Sequence, residues 1–225
     1  MFGIFKNLFG SKEQVQVVNP IPVVKKDIYN ATVGDVITFG MNDLKQLVNQ
    51  TYKITSRLIL ENDNHKMVFL IARSNPELPV IYIDITTHEE HIMVYKEVSP
   101  DDVFSCLAEG NSEDSEFASH LLQEKEDTGS FAFDSDLEQE MLDQHWFNKK
   151  RYYVRKKGEY KRLETRKNVS VAEGNNVEMV EVYWFEADQR EFNFLTVLSE
   201  GVGHTMLYAG RRIEPYDISS IDSPE

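Results

Sequence analysis

The sequence predicts an α+β chain, mainly β, built as two related antiparallel β modules joined by an acidic, partly helical connector. Three observations lead there. The first is an internal echo. His91-Ile92-Met93-Val94-Tyr95 precedes Val98-Ser99-Pro100-Asp101-Asp102-Val103, and His204-Thr205-Met206-Leu207-Tyr208 precedes Ile213-Glu214-Pro215-Tyr216-Asp217-Ile218. A second match, Met67-Val68 and Met179-Val180, lies upstream of each at nearly the same distance. The second observation is a series of β-branched and aromatic runs parted by gaps too short for helical crossovers, which indicates antiparallel meanders. The third is a reversal of charge. Residues 109–143 hold twelve acidic residues and one lysine, whereas 149–167 hold ten lysines and arginines against Glu159 and Glu164.

In chain order, residues 1–27 form an amphipathic segment and tether. Phe2, Ile4, Phe5, Leu8 and Phe9 share an arc of about 160° at ~100° per residue, with Lys6 and Asn7 opposite. Gly10 and a polar, Pro-containing stretch then end the helical pattern. Phe2, Phe5, Leu8 and Phe9 are candidate partner-binding residues. Three destinations stay open for them: a membrane surface or protein partner, the chain's own folded body, or disorder.

The first β module covers 28–108. Val33 to Gly40 reads as a turn entering a strand, and Met41, Leu44, Leu47 and Val48 follow helical spacing. Tyr52–Leu60, Lys66–Ala72, Val80–Ile85 and His91–Glu97 read as four strands. Ser99 then caps a short helix, with Pro100 at its first position and Asp101 and Asp102 at the positive end of its dipole. The connector covers 109–148. It holds one helical piece with Phe117 and Leu121 and another after a Ser135-x-x-Glu138 capping box, through Leu142 to Trp146. The second module covers 149–221. It opens with a basic hairpin turning at Lys157-Gly158-Glu159, continues with strands over Val177–Glu186, Phe192–Leu198 and His204–Tyr208, and ends in a short turn or helix at Pro215–Ile221. Residues 222–225 are a tail.

A net charge of −14 argues against a general nucleic-acid binder, because phosphate repels such a surface. A single cysteine, Cys106, excludes an internal disulfide framework and fits a reducing compartment. No apolar run approaches the ~20 residues that span a bilayer, and the N-terminus lacks a secretory signal, so the cytoplasm is the expected location.

Arg155, Lys156, Lys157 and Lys161 of the basic hairpin are further candidate partner-binding residues. With Tyr152, Tyr153 and Tyr160 they offer phosphate contact and base stacking to a single strand, or charge to an acidic protein. The simpler expectation is a solvated edge hairpin whose lysines prevent edge-to-edge pairing. His88-Glu89-Glu90-His91 spaces its histidines three apart, against the four that a helical zinc motif needs, and reads as a turn. No G-x-S-x-G elbow, Walker-type run or G-x-G-x-x-G occurs. Cys106, beside Phe104 and Leu107, reads as a buried thiol. No catalytic residue, metal site or cofactor is expected.

The Phe/Gly-rich start, Val33-Gly34-Asp35-Val36, the β-rich body and the terminal Tyr208-x-Gly210-Arg211-Arg212-x-x-Pro215 resemble the YjfK-like family of bacterial proteins over nearly the whole chain. That family has no established activity, so no catalytic residue carries over. Its members tend to be encoded near phage-shock-type membrane-stress proteins. The resemblance implies a cytoplasmic adaptor peripheral to the inner membrane, acting in envelope stress.

The expected function is a non-enzymatic bacterial interaction protein with an unknown protein partner and a weak peripheral membrane contact through its N-terminus. Two alternatives stand beside it. One is an enzyme or small-ligand binder with a site between the modules, where His91 and His204 would face one cavity. The other is a single-stranded nucleic-acid binder acting through residues 149–167.

Overall fold

The structure, a computed structural model, describes residues 26–86, 91–107, 130–166, 169–170, 178–188, 191–199 and 204–223. The expectations for Phe2, Phe5, Leu8 and Phe9, for His88 to Glu90, and for the helical piece with Phe117 and Leu121 fall outside these residues. The four predicted runs of the first module form strands β2 (Thr51–Glu61), β3 (Lys66–Arg73), β4 (Ile81–Asp84) and β5 (Ile92–Val98), preceded by β1 (Val36–Phe39). Helix α1 (Pro100–Cys106) follows. Ser99 Oγ accepts from the Asp102 amide at 3.0 Å, which satisfies a first-turn N–H that the helix itself leaves free.

The second half contributes β6 (Ser130–Phe131), α2 (Gln139–His145), β7 (Tyr152–Arg166), β8 (Val169–Ser170), β9 (Glu178–Ala187), β10 (Phe192–Ser199), β11 (His204–Ile213) and β12 (Ile218–Asp222). The protein is therefore mainly β, and every strand pairing described is antiparallel.

Eight of these strands close into a barrel. The ladder runs β2-β3-β4-β5-β11-β10-β9-β7 and returns to β2, where Ser56 faces Arg166 and Glu61 faces Lys161. The other barrel seam between the halves joins β5 to β11, from Ile92 opposite Ile213 to Val98 opposite Leu207, and outside the barrel β1 pairs with β12. β1 and β12 extend the sheet beyond β2. Each half supplies four strands, so the halves share their cores. One buried cluster draws on seven of the barrel strands, including Leu60, Phe69, Tyr95, Tyr160, Val182, Leu195 and Tyr208, with the half-buried Tyr82 of β4 packed against it; it is the barrel interior. Gly210 is required there, because a Cβ at that position would lie 2.5 Å from the Tyr95 ring.

The second cluster lies on the outer face of the sheet, under α1, α2 and the segment carrying Phe131 and Phe133. Phe131 stacks on Tyr152 with centroids 4.9 Å apart, and Phe133 on Phe147 at 3.9 Å. Their edges and faces fill the layer that isolated helices of seven residues could not hold by propensity alone.

Four local expectations are corrected. Lys157-Gly158-Glu159 does not turn. These residues pair with Tyr183, Val182 and Glu181 of β9, and the strand runs on to β2, so a continuous ladder satisfies the backbone that a hairpin would have bent. The predicted basic hairpin is one 15-residue strand. Ser135 does not cap α2, whose N-cap is Glu138 without a side-chain bond. Met41 to Val48 forms turns, with Leu47 N bonding Leu44 O at 2.7 Å, and no helix. Pro215–Asp217 makes one 3-10 turn, closed by Asp217 Oδ2 on the Glu214 amide at 2.9 Å, after which the chain becomes strand β12.

Candidate functional site

Alternation along β7 divides the four predicted cationic residues. Lys157 and Lys161 are exposed on the outer face, Arg155 is exposed at the bulge between Val154 and Lys156, and Lys156 lies on the face that carries Tyr160 inward. Lys156 Nζ sits 4.6 Å from the Trp184 ring centroid and contacts His65 Nε2, so it is part of the packed wall. The outer row is tempered by acids. Glu159 lies between Lys157 and Lys161 and faces Glu181, and Arg155 has Glu186 at 3.9 Å. Of the three tyrosines proposed to stack on bases, Tyr152 and Tyr160 are buried and Tyr153 alone is exposed. A stacking platform along this strand is reduced to one ring.

The barrel interior is filled by its own side chains. Leu58, Leu60, Phe69, Tyr82, Val197 and Tyr208 line a void of about 10 Å³, room for one water at most. Within the barrel, the Asn193 amide oxygen accepts from Trp184 Nε1 and Tyr95 Oη, both at 3.2 Å, and its nitrogen donates to the Phe192 carbonyl at 2.9 Å. These buried polar atoms are thus answered by one another. His91 Nδ1 is 3.1 Å from Glu214 Oε2, half-exposed at the end of β11. The side chain of His204 falls outside the described residues. Cys106 is buried as expected, and burial pushes its thiol up, away from nucleophilic use. Among the described residues no cluster of His, Cys, Asp and Glu suits a metal ion.

A surface groove takes form at a place that no sequence motif marks. Two clefts of about 410 and 740 Å³ meet at Asp43 and Arg211. The 41–46 turns form one wall. α2 and Trp146 face them in the larger cleft, and the C-terminal end of β11 and the 214–217 turn face them in the smaller. Met41 and Tyr216, 78% and 81% exposed, flank the smaller cleft and are the most exposed large apolar side chains described. Arg211 forms the waist, its guanidinium 4.2 Å from the Phe192 centroid. Burial lowers its pKa, against the pull of Asp143, Tyr152, Asp43 and Glu191.

No family model matches this chain, and no curated protein or solved structure matches it either.

Behind the larger cleft, Lys96 is buried under Trp146, with Nζ 5.0 Å from the ring centroid. It donates to the Gln144 carbonyl in the last turn of α2 and to Gln46 Oε1 at 3.3 Å, so one ammonium ties sheet, helix and turn together at the negative end of the helix. Trp146 follows the helix in the left-handed region at φ 64°, a costly conformation for a large residue that its complete burial offsets. The groove walls are therefore held from beneath. The sequence pattern puts Met41 at the start of a helix and Trp146 in one, and it marks neither Asp43 nor Arg211, 168 residues apart, as a site residue.

No helix among the described residues is long and apolar enough to cross a membrane.

Proposed function

We propose that this chain is a non-enzymatic interaction protein, an adaptor whose folded contact surface is the Asp43–Arg211 groove. One observation carries the reading: Met41 and Tyr216, bulky and almost wholly exposed, flank the same cleft. Scattered exposed apolar residues need no explanation, but two on one concave, rigidly backed surface mark a contact site. The groove walls rest on the Lys96 and Trp146 anchor, which supplies the preorganisation that binding needs. The reading fits the adaptor role implied by the resemblance to the YjfK-like family. In that role residues 1–10, with Phe2, Phe5, Leu8 and Phe9, form a second contact, with a partner or at the inner membrane.

The test is in-cell photo-crosslinking from position 41 and, separately, from position 216, each compared with a variant carrying Asp at the other position (Tyr216→Asp or Met41→Asp). A discrete crosslinked product from both positions, lost in each variant, is expected. Absence of any product from either position overturns the groove as contact surface. Liposome flotation of the full chain against a chain lacking residues 1–12 tests the second contact, and equal distribution retires it.

The same reading includes an internal duplication behind the two four-strand meanders. Support comes from the echo: Tyr95 and Tyr208 both enter the barrel interior, Met93 and Met206 both pack on it, and Lys96 and Ala209, 113 residues apart like His91 and His204, face each other in the β5–β11 ladder. The upstream match weighs against it, since Met67 is buried while Met179 is exposed. Superposition of the two meanders with Met93 and Met206 in unlike places would end the idea.

A further inference from the structure

We propose that the Asp43–Arg211 groove receives a basic segment of a partner protein that carries a bulky apolar side chain. This inference rests on the reading of the groove as a contact surface and adds the chemistry of the occupant. Six carboxylates line the two clefts against three cations, Lys45, Arg211 and Arg212. Three of the six are already engaged. Glu191 and Glu214 hold Arg212 at 3.7 and 3.6 Å, and Asp217 is spent on the Glu214 amide.

The other three, Asp43, Glu140 and Asp143, line the larger cleft with no described cation within ion-pair distance, although Asp143 Oδ1 accepts from Gln139 Nε2 at 2.9 Å. Arg211 lies between Asp43 and the α2 wall but is stacked on Phe192, so its charge is offset without being contacted. An ammonium or guanidinium group entering this cleft meets three carboxylates that hold no ion pair, against the two cations Lys45 and Arg211 of the same lining, so the balance favours a cation over an acidic group. The Met41 and Tyr216 notch, continuous with the larger cleft through Asp43, accepts the apolar side chain of the same segment.

The experiment titrates full-length protein into a labelled short peptide of alternating lysine and leucine, and into its glutamate/leucine counterpart, by fluorescence anisotropy. The basic peptide is expected to bind, and Asp43→Lys/Asp143→Lys to weaken it about tenfold. Asp63→Lys/Glu77→Lys, the same charge change on loops away from the groove, is expected to change it less than about twofold. Circular dichroism melts confirm that both variants fold. Equal weakening by the two variants reduces the effect to bulk attraction by an acidic protein and overturns the proposal, as does tighter binding of the acidic peptide. A concentration-dependent dimer in sedimentation velocity that Asp43→Lys/Asp143→Lys abolishes assigns the groove to a second copy and also overturns it. If crosslinks from positions 41 and 216 persist while the basic peptide fails to bind, the contact surface stands and its basic occupant falls.

Discussion

Lys156 and Lys157 are consecutive in the chain yet lie on opposite faces of the barrel wall: one caps the Trp184 ring from the inner side, and the other is exposed outside. A strand separates neighbours in this way and a hairpin turn does not, so the pair records the main difference between the expected and observed second half. Lys156→Ala is expected to cost about 1 kcal/mol through loss of its contact with Trp184. Lys157→Ala is expected to stay within about 0.5 kcal/mol of the parent. Urea denaturation of the two variants checks this, and equal effects would remove the distinction.

Gly210 leaves no room for a side chain, because the Tyr95 ring occupies the position of its missing Cβ at 2.5 Å. Gly210→Ala is expected to destabilise the protein by about 1–3 kcal/mol by overfilling the barrel. Adding Tyr95→Leu should recover part of that loss, since the obstructing atoms belong to the ring. A double-mutant cycle by thermal denaturation reads the coupling, and simple additivity would contradict the packing described.

Burial pulls the Lys96 ammonium down to about 8 from its ordinary 10.5, with Asp102 opposing. The folded value lies below the unfolded one, so between pH 8 and 10.5 the unfolded chain binds more protons and stability rises with pH. Buried tyrosines such as Tyr52, pushed up to about 12, act in the reverse sense above pH 10, where the folded state holds the extra protons. Comparison with Lys96→Met isolates the lysine. The stability of the parent relative to this variant should rise by about 1–3 kcal/mol across the window. A difference that stays flat with pH would refute the desolvated ammonium.

Ser99 holds the first turn of α1, and Ser99→Ala is expected to cost about 1 kcal/mol. Ser99→Asp should retain the cap and much of the stability. Ser135→Ala, at a site where the capping motif does not form, should be near neutral. A melting comparison of the three decides.

The strands of the first half were legible because alternation and turn chemistry act within a few residues. Tyr52, Ile54, Leu58 and Leu60 alternate with exposed or half-exposed positions, and Asn62 closes its own turn by accepting from the Asn64 and His65 amides. The Ser99 cap was legible for the same reason. What failed was decided at long range. Gly158 carries a local turn signal, but Val182 faces it and the β9 ladder overrides the signal. The groove lay further out of reach, because Asp43 and Arg211 are ordinary polar residues until closure of the barrel sets them side by side. Met41 gave the one available hint, a large apolar side chain between Gly40 and Asn42 in a stretch with no strand pattern.

The two seams, β2 on β7 and β5 on β11, have a practical corollary. Neither four-strand sheet can close by itself, so severing the chain between them would yield two pieces with exposed edges on both flanks. Such pieces are natural complementation mates, each the template on which the other completes its wall, and their reunion would report directly on whether the molecule is whole.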